Sequence, residues 1–88
     1  MKLIIAIIDD ADSDEVSRSL VEGNFRITKI ASTGGFFRRG STTFMVVVND
    51  DRVDSAIQMI RNSIHPEPGS KEKKATLFVL PVESFEQI

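Results

Sequence analysis

Short apolar runs alternate along the chain with stretches rich in Asp, Asn, Gly and Pro, and the apolar period changes from run to run. Leu3–Ile8 (LIIAII) is a continuous β-branched run ending at Asp9-Asp10, the pattern of a buried strand. Asp12 followed by Glu15 has the spacing of a capping pair. Val16, Leu20 and Val21 then share one helical face, and Gly23-Asn24 closes that helix. Phe25–Ser32 predicts a second strand; its alternation is clean at Phe25 and Ile27 and slips at Ile30, as a bulge would make it. Residues 34–40 (GGFFRRG) form a glycine-bearing loop, and Ser41–Val48 predicts a third strand. Asn49-Asp50-Asp51 offers an N-cap to a second helix. Val53, Ala56, Ile57, Ile60 and Ile64 fall at i, i+3, i+4, i+7 and i+11, the strongest helical period in the sequence. His65–Lys74 (HPEPGSKEKK) is a polar loop, Ala75–Val82 the last strand, and Glu83–Ile88 a short tail.

The predicted order is β-α-β-β-α-β in one domain spanning residues 1–88. Two right-handed crossovers put both helices on one face of a four-stranded antiparallel sheet, the ferredoxin-like α+β arrangement. A sheet covered on one face alternates apolar-in and polar-out. Leu3–Ile8 and Phe44–Val48 (FMVVV) contain no polar residue, so both of their faces are apolar. The uncovered face is then a patch of roughly several hundred Å², more than a soluble monomer usually exposes. Copies of the same chain would bury it; the competing expectation is that the tail or the long loop folds back over it.

Composition narrows the function. Eighty-eight residues without cysteine exclude disulfides, thiolate metal sites and a cysteine nucleophile. A single histidine, His65, leaves no multi-histidine metal site within one chain. So small a domain needs help from packing or self-association. A formal net charge of −2 lacks the basic surplus of a nucleic-acid binder. No apolar stretch reaches the roughly 20 residues that span a bilayer, and Met1–Ile8 lacks the form of a signal peptide. A cytoplasmic protein is expected. No nucleophile–base pair or split carboxylate pair stands out, so no enzyme is expected.

Functional chemistry gathers between residues 25 and 44. Consecutive glycines let backbone N–H groups converge on an anion. Phe36 and Phe37 suit stacking on a planar base; Arg26, Arg38 and Arg39 suit phosphate; Thr28 and Ser41 suit polar base edges. The bland readings are that Phe36 and Phe37 plug an oligomer edge, that Arg26 is a solvated strand residue, and that Thr28 is an ordinary β-former.

The opening MKLIIAI, the run FRITKIASTGGFFRRGSTTF, the DDRVD before helix two and the closing ATLFVLPVESFEQI closely resemble the PII-like cyclic-di-AMP receptor family. The likeness covers nearly the whole chain apart from His65–Lys74. It implies a homotrimer whose three sheets pack together at the centre, with a nucleotide site at each subunit junction and no resident cofactor. By that resemblance Arg26 and Thr28 stand at ligand-contacting strand positions, and Gly35 and Phe36 in the loop that wraps the base. Phe37 replaces a usual leucine, and Gln87 closes the site from the tail. The implied role is a sensor of cyclic-di-AMP or a related adenine nucleotide that passes its state to an unidentified target protein.

Three departures bear on the ligand. The family commonly has asparagine at position 41, whose amide pairs in two directions; Ser41 makes a single, shorter contact. It commonly has glycine at position 47, where Val47 adds bulk. Its loop before the last strand is usually much longer than His65–Lys74. The first two changes together would cost a few kcal/mol, on the order of 10²-fold in affinity. An adaptor that has lost nucleotide binding is the alternative. Elsewhere, His65 is expected to be solvated. Asp9, Asp10, Asp12, Asp14 and Glu15 fit helix capping better than cation binding. Lys71-Glu72-Lys73-Lys74 reads as a solvated charged face.

Overall fold

The computed structural model describes residues 1–33, 40–66, 68–69 and 73–88. Gly35, Phe36 and Phe37, together with Gly34, Arg38 and Arg39, lie outside the described residues, as do Glu67, Ser70, Lys71 and Glu72 of the predicted polar loop. Four strands and two helices follow in the predicted order: β1 Lys2–Asp9, α1 Asp10–Glu22, β2 Ile27–Thr33, β3 Ser41–Val48, α2 Val53–Asn62 and β4 Ala75–Pro81. A single 3₁₀ turn, Asp50–Arg52, leads into α2. The sheet is antiparallel throughout in the order β2-β3-β1-β4, the ferredoxin-like topology.

Strand pleat sorts the apolar residues into two sets. Ile4, Ala6 and Ile8 of β1 are fully buried with Phe44 and Val46 of β3. Val16 and Leu20 of α1, with Ala56 and Ile60 of α2, complete that core. The other set, Leu3, Ile5 and Ile7, stands opposite Val47, Met45 and Thr43 on β3 and Leu80, Phe78 and Thr76 on β4. Phe78 is 50% exposed and Leu80 44%. Among the described residues, then, the tail and the loop stems leave the β4 side of this outer apolar face open.

Several local readings change. The cap of α1 is Asp9, not the Asp12–Glu15 pair: its carboxylate accepts from the Ala11 amide at 2.9 Å. β1 runs straight into the helix, so the acid that ends the strand reaches the free amides before Asp12 can. Asp12 is buried instead, with Lys74 Nζ 2.8 Å from its Oδ2. Contact is close but off the line of a hydrogen bond, so it acts as an ion pair. Lys74 is therefore no part of a solvated face. Its carbonyl accepts from the Asp9 amide at 2.9 Å, which carries the β1–β4 pairing one step further and sets the side chain over α1.

Phe25 lies ahead of β2 rather than in it. Asn24 takes the left-handed conformation (φ 66°), and the Phe25 amide folds back on the Leu20 carbonyl at 2.9 Å, which buries the ring. The register of β2 on β3 does shift between Ile30 and Thr33, where the broken alternation pointed. Asn49 precedes the 3₁₀ turn without a capping bond from its side chain, and α2 starts only at Val53. His65 is not without a partner: its Nε2 contacts Glu15 Oε2, although both side chains are largely exposed. β4 ends at Pro81, and the Val82 amide donates to the Met1 carbonyl at 3.1 Å.

Candidate functional site

The α1–β2 turn, the ends of β2 and β3 and the C-terminal tail enclose a cavity of about 450 Å³. Three residues expected at a ligand line it together: Arg26, just ahead of β2; Thr28, on β2; and Gln87, from the tail. Thr28 stands opposite Met45 in the ladder, so both point to the outer face, and both line the cavity with Val47. Val47 is 39% exposed, and its isopropyl group occupies wall that a glycine would leave open.

Ser41 is not part of this grouping. It opens β3 opposite Asp9, whereas Val47 stands opposite Leu3 at the far end of the same strand. Six steps separate residues 41 and 47, about 20 Å at the rise of a strand. Ser41 is also 8% exposed, against the open positions of Arg26 and Thr28. Gly35, Phe36 and Phe37 lie outside the described residues.

The cavity also includes residues that the sequence reading passed over: Asn24, Asn49, Arg52 and Phe85. Arg52 Nη2 donates to the Gly23 carbonyl at 2.8 Å, and its guanidinium lies 4.0 Å from the centre of the Phe25 ring. That stacking draws the 3₁₀ turn onto the α1–β2 turn and joins two walls. Phe85, 53% exposed, brings an aromatic face from the tail. Asn24 and Asn49 bring amides that donate and accept.

The charge of this lining differs from that of the chain. The protein carries 13 acidic against 11 basic residues, yet among the described residues no Asp or Glu lines the cavity, while two arginines do. Asp50, next to the lining, is engaged by the Met1 amine at 2.7 Å. The hydrogen bond from that ammonium holds the Asp50 carboxyl below the usual carboxylate range, with help from its charge and that of Lys2. An apolar wall with an aromatic face, amide groups and unopposed guanidinium charge suits a planar, anionic small molecule.

The sequence model of the cyclic-di-AMP receptor family matches residues 1–68. The chain belongs to the cyclic-di-AMP receptor family. This receptor family is PII-like, and membership puts the protein with signalling receptors for a small nucleotide. The matched span contains Arg26, Thr28 and Ser41 and stops before β4 and Gln87. A solved structure of a functionally unknown protein from Pediococcus pentosaceus shares 36% sequence identity. It superposes with a TM-score of 0.81 over 99% of this chain and 96% of its own. That similarity extends through β4 and the tail, so the whole fold is one shared with a relative. Among the described residues no helix is long and apolar enough to cross a membrane.

Proposed function

We propose that this receptor binds cyclic-di-AMP, or a closely related adenine nucleotide, at junctions between copies of the chain, and passes its occupancy to a target protein. The observation that carries the reading is the convergence of Arg26, Thr28 and Gln87 on one cavity whose described lining holds no acid, within a chain of the cyclic-di-AMP receptor family. Arginine supplies paired donors for phosphodiester oxygens, and Thr28 and Gln87 supply polar contacts for base or sugar edges.

The separation of Ser41 from that cavity supports a site shared between copies. One end of β3 offers Ser41, next in sequence to the segment holding Gly35, Phe36 and Phe37; the other end offers Arg26, Thr28 and Gln87. A ligand reaching both sets needs the Ser41 end of one chain beside the cavity of another. The outer apolar face favours such an assembly, and a trimer with three equal junctions satisfies it. Signalling then follows from population shift, because ligand held between copies stabilises only arrangements in which both halves meet.

Calorimetric titration with cyclic-di-AMP, beside ATP and cyclic-di-GMP, tests this, with the oligomer mass measured on the same sample. Micromolar or tighter binding of cyclic-di-AMP, one per chain in a trimer, is the expected result. A trimer that ignores all three nucleotides would overturn the ligand assignment. One observation favours a second reading, an adaptor acting through protein contacts: Val47 projects into the cavity where the family commonly has glycine. On that reading only the Ser41→Asn/Val47→Gly double variant binds.

A further inference from the structure

We infer that Arg52 is a second anion-holding residue of the cavity, taking a phosphate oxygen of the ligand in addition to Arg26; the inference rests on the nucleotide reading above. The cavity lining and the contacts of Arg52 carry it. Arg52 is half-buried in the wall, and its contacts there are neutral: the Gly23 carbonyl at 2.8 Å and the face of Phe25 at 4.0 Å. Asp50, Asp51 and Asp54 are its close neighbours in sequence, yet no carboxylate of the described residues forms an ion pair with it. Asp50 is drawn instead to the Met1 amine at 2.7 Å.

A guanidinium has five N–H donors in a fixed fork. The bond to Gly23 engages one nitrogen, and stacking on Phe25 fixes the plane without using a donor. The remaining donors belong to a cation already held in place, so little side-chain freedom is left to lose when an anion arrives. A half-buried arginine is ordinarily matched by an acid. Here the described lining supplies none, and a ligand phosphate completes the pairing. Cyclic-di-AMP carries two phosphodiesters, matching the two guanidiniums among the described lining residues.

A purely structural Arg52 would staple the 3₁₀ turn to the α1–β2 turn and affect stability alone. Two variants separate the roles. Arg52→Met keeps a stem of similar length against Phe25 and removes the charge; Arg52→Lys keeps the charge and loses the fork. Titration of cyclic-di-AMP at low and high salt should show Arg52→Met binding about tenfold or more weaker, with a flatter salt dependence than wild type. Arg52→Lys should retain the wild-type slope and recover part of the affinity. In the wild-type protein, pyrophosphate should shift the Arg52 Nε–H resonance in a ¹⁵N spectrum, so the test survives a variant that folds poorly. Folded Arg52→Met with wild-type affinity and salt slope would overturn the inference and leave the nucleotide reading standing. A wild-type protein that ignores cyclic-di-AMP while pyrophosphate still shifts Arg52 would keep the anion seat and sink the nucleotide reading. No shift with pyrophosphate and no binding of cyclic-di-AMP would remove both.

Discussion

Acidic residues at the start of α1 each meet a different partner, and together they hold the top of the domain. Asp9 caps the helix, Asp10 accepts from Thr42 Oγ1 at 2.6 Å, Asp12 pairs with Lys74, and Glu15 meets His65. The Asp12–Lys74 pair is the buried one, with side-chain exposures of 3% and 11%. Lys74 Nζ also donates to the His65 carbonyl at 2.8 Å, so one ammonium ties both stems of the predicted polar loop to the helix. Removing one partner of a buried pair strands the other charge and costs about 3–5 kcal/mol. Against a total stability of roughly 5–15 kcal/mol that is a large share. Lys74→Met should therefore lower the urea midpoint sharply, and Asp12→Leu combined with Lys74→Met should regain most of the loss. A wild-type midpoint for Lys74→Met would mean that the pair is solvated. Sequence pattern alone placed these acids at a helix start but not their partners. Capping needs one acid, and which acid serves depends on where β1 stops. Lys74 looked solvated because its neighbours in the KEKK run are charged, whereas its burial comes from pairing with β1 some 65 residues away in sequence.

At the scale of elements, the entry to β3 is fixed by a close approach to α1. The Asp10 amide donates to the Gly40 carbonyl at 3.1 Å, and a Cβ at Gly40 would stand 2.2 Å from Asp10 Oδ2. A side chain there would have to push that carboxylate aside, and Thr42, fully buried two residues further on, holds the same carboxylate. Gly40→Ala and Thr42→Val should each destabilise by about 1–3 kcal/mol. Their double variant should lose less than the sum, because both act through Asp10. Chemical denaturation of the three proteins checks this; strict additivity would show that Asp10 does not link them. Elements themselves were legible wherever burial imposes a period. β3 was readable to its ends, and α2 showed its apolar stripe over a long enough span to be unambiguous. β2 was less so, since Phe25 is apolar for the sake of a turn rather than a strand. The cavity was half legible: Arg26, Thr28 and Gln87 were found through motif likeness. Asn24, Asn49, Arg52 and Phe85 were not, because they come from turns and a tail that share no spacing and meet only in the folded chain.

For the molecule as a whole, the decisive feature is that the sheet has one covered face and one apolar face left open. Phe78 on β4 stands opposite Ile5 in the ladder, and Ile5 stands opposite Met45, so one apolar row crosses the sheet from its edge. Within the single chain Phe78 is half exposed and packs into no core, so an acidic residue there should leave the fold intact. Between copies the same residue would be enclosed, and a buried unpaired carboxylate costs several kcal/mol at each junction. Phe78→Asp should then run as a folded monomer in sedimentation while the wild type runs as a trimer. Melting of the wild type should depend on protein concentration, and that of the variant should not. Loss of cyclic-di-AMP binding should accompany dissociation although Phe78 is not among the described lining residues, because Ser41 and the cavity stand at opposite ends of β3, too far apart for one chain to present both to a ligand. A Phe78→Asp protein that stays trimeric would direct the assembly to another surface. A monomer that still binds with full affinity would make the cavity of a single chain sufficient and remove the need for a shared site.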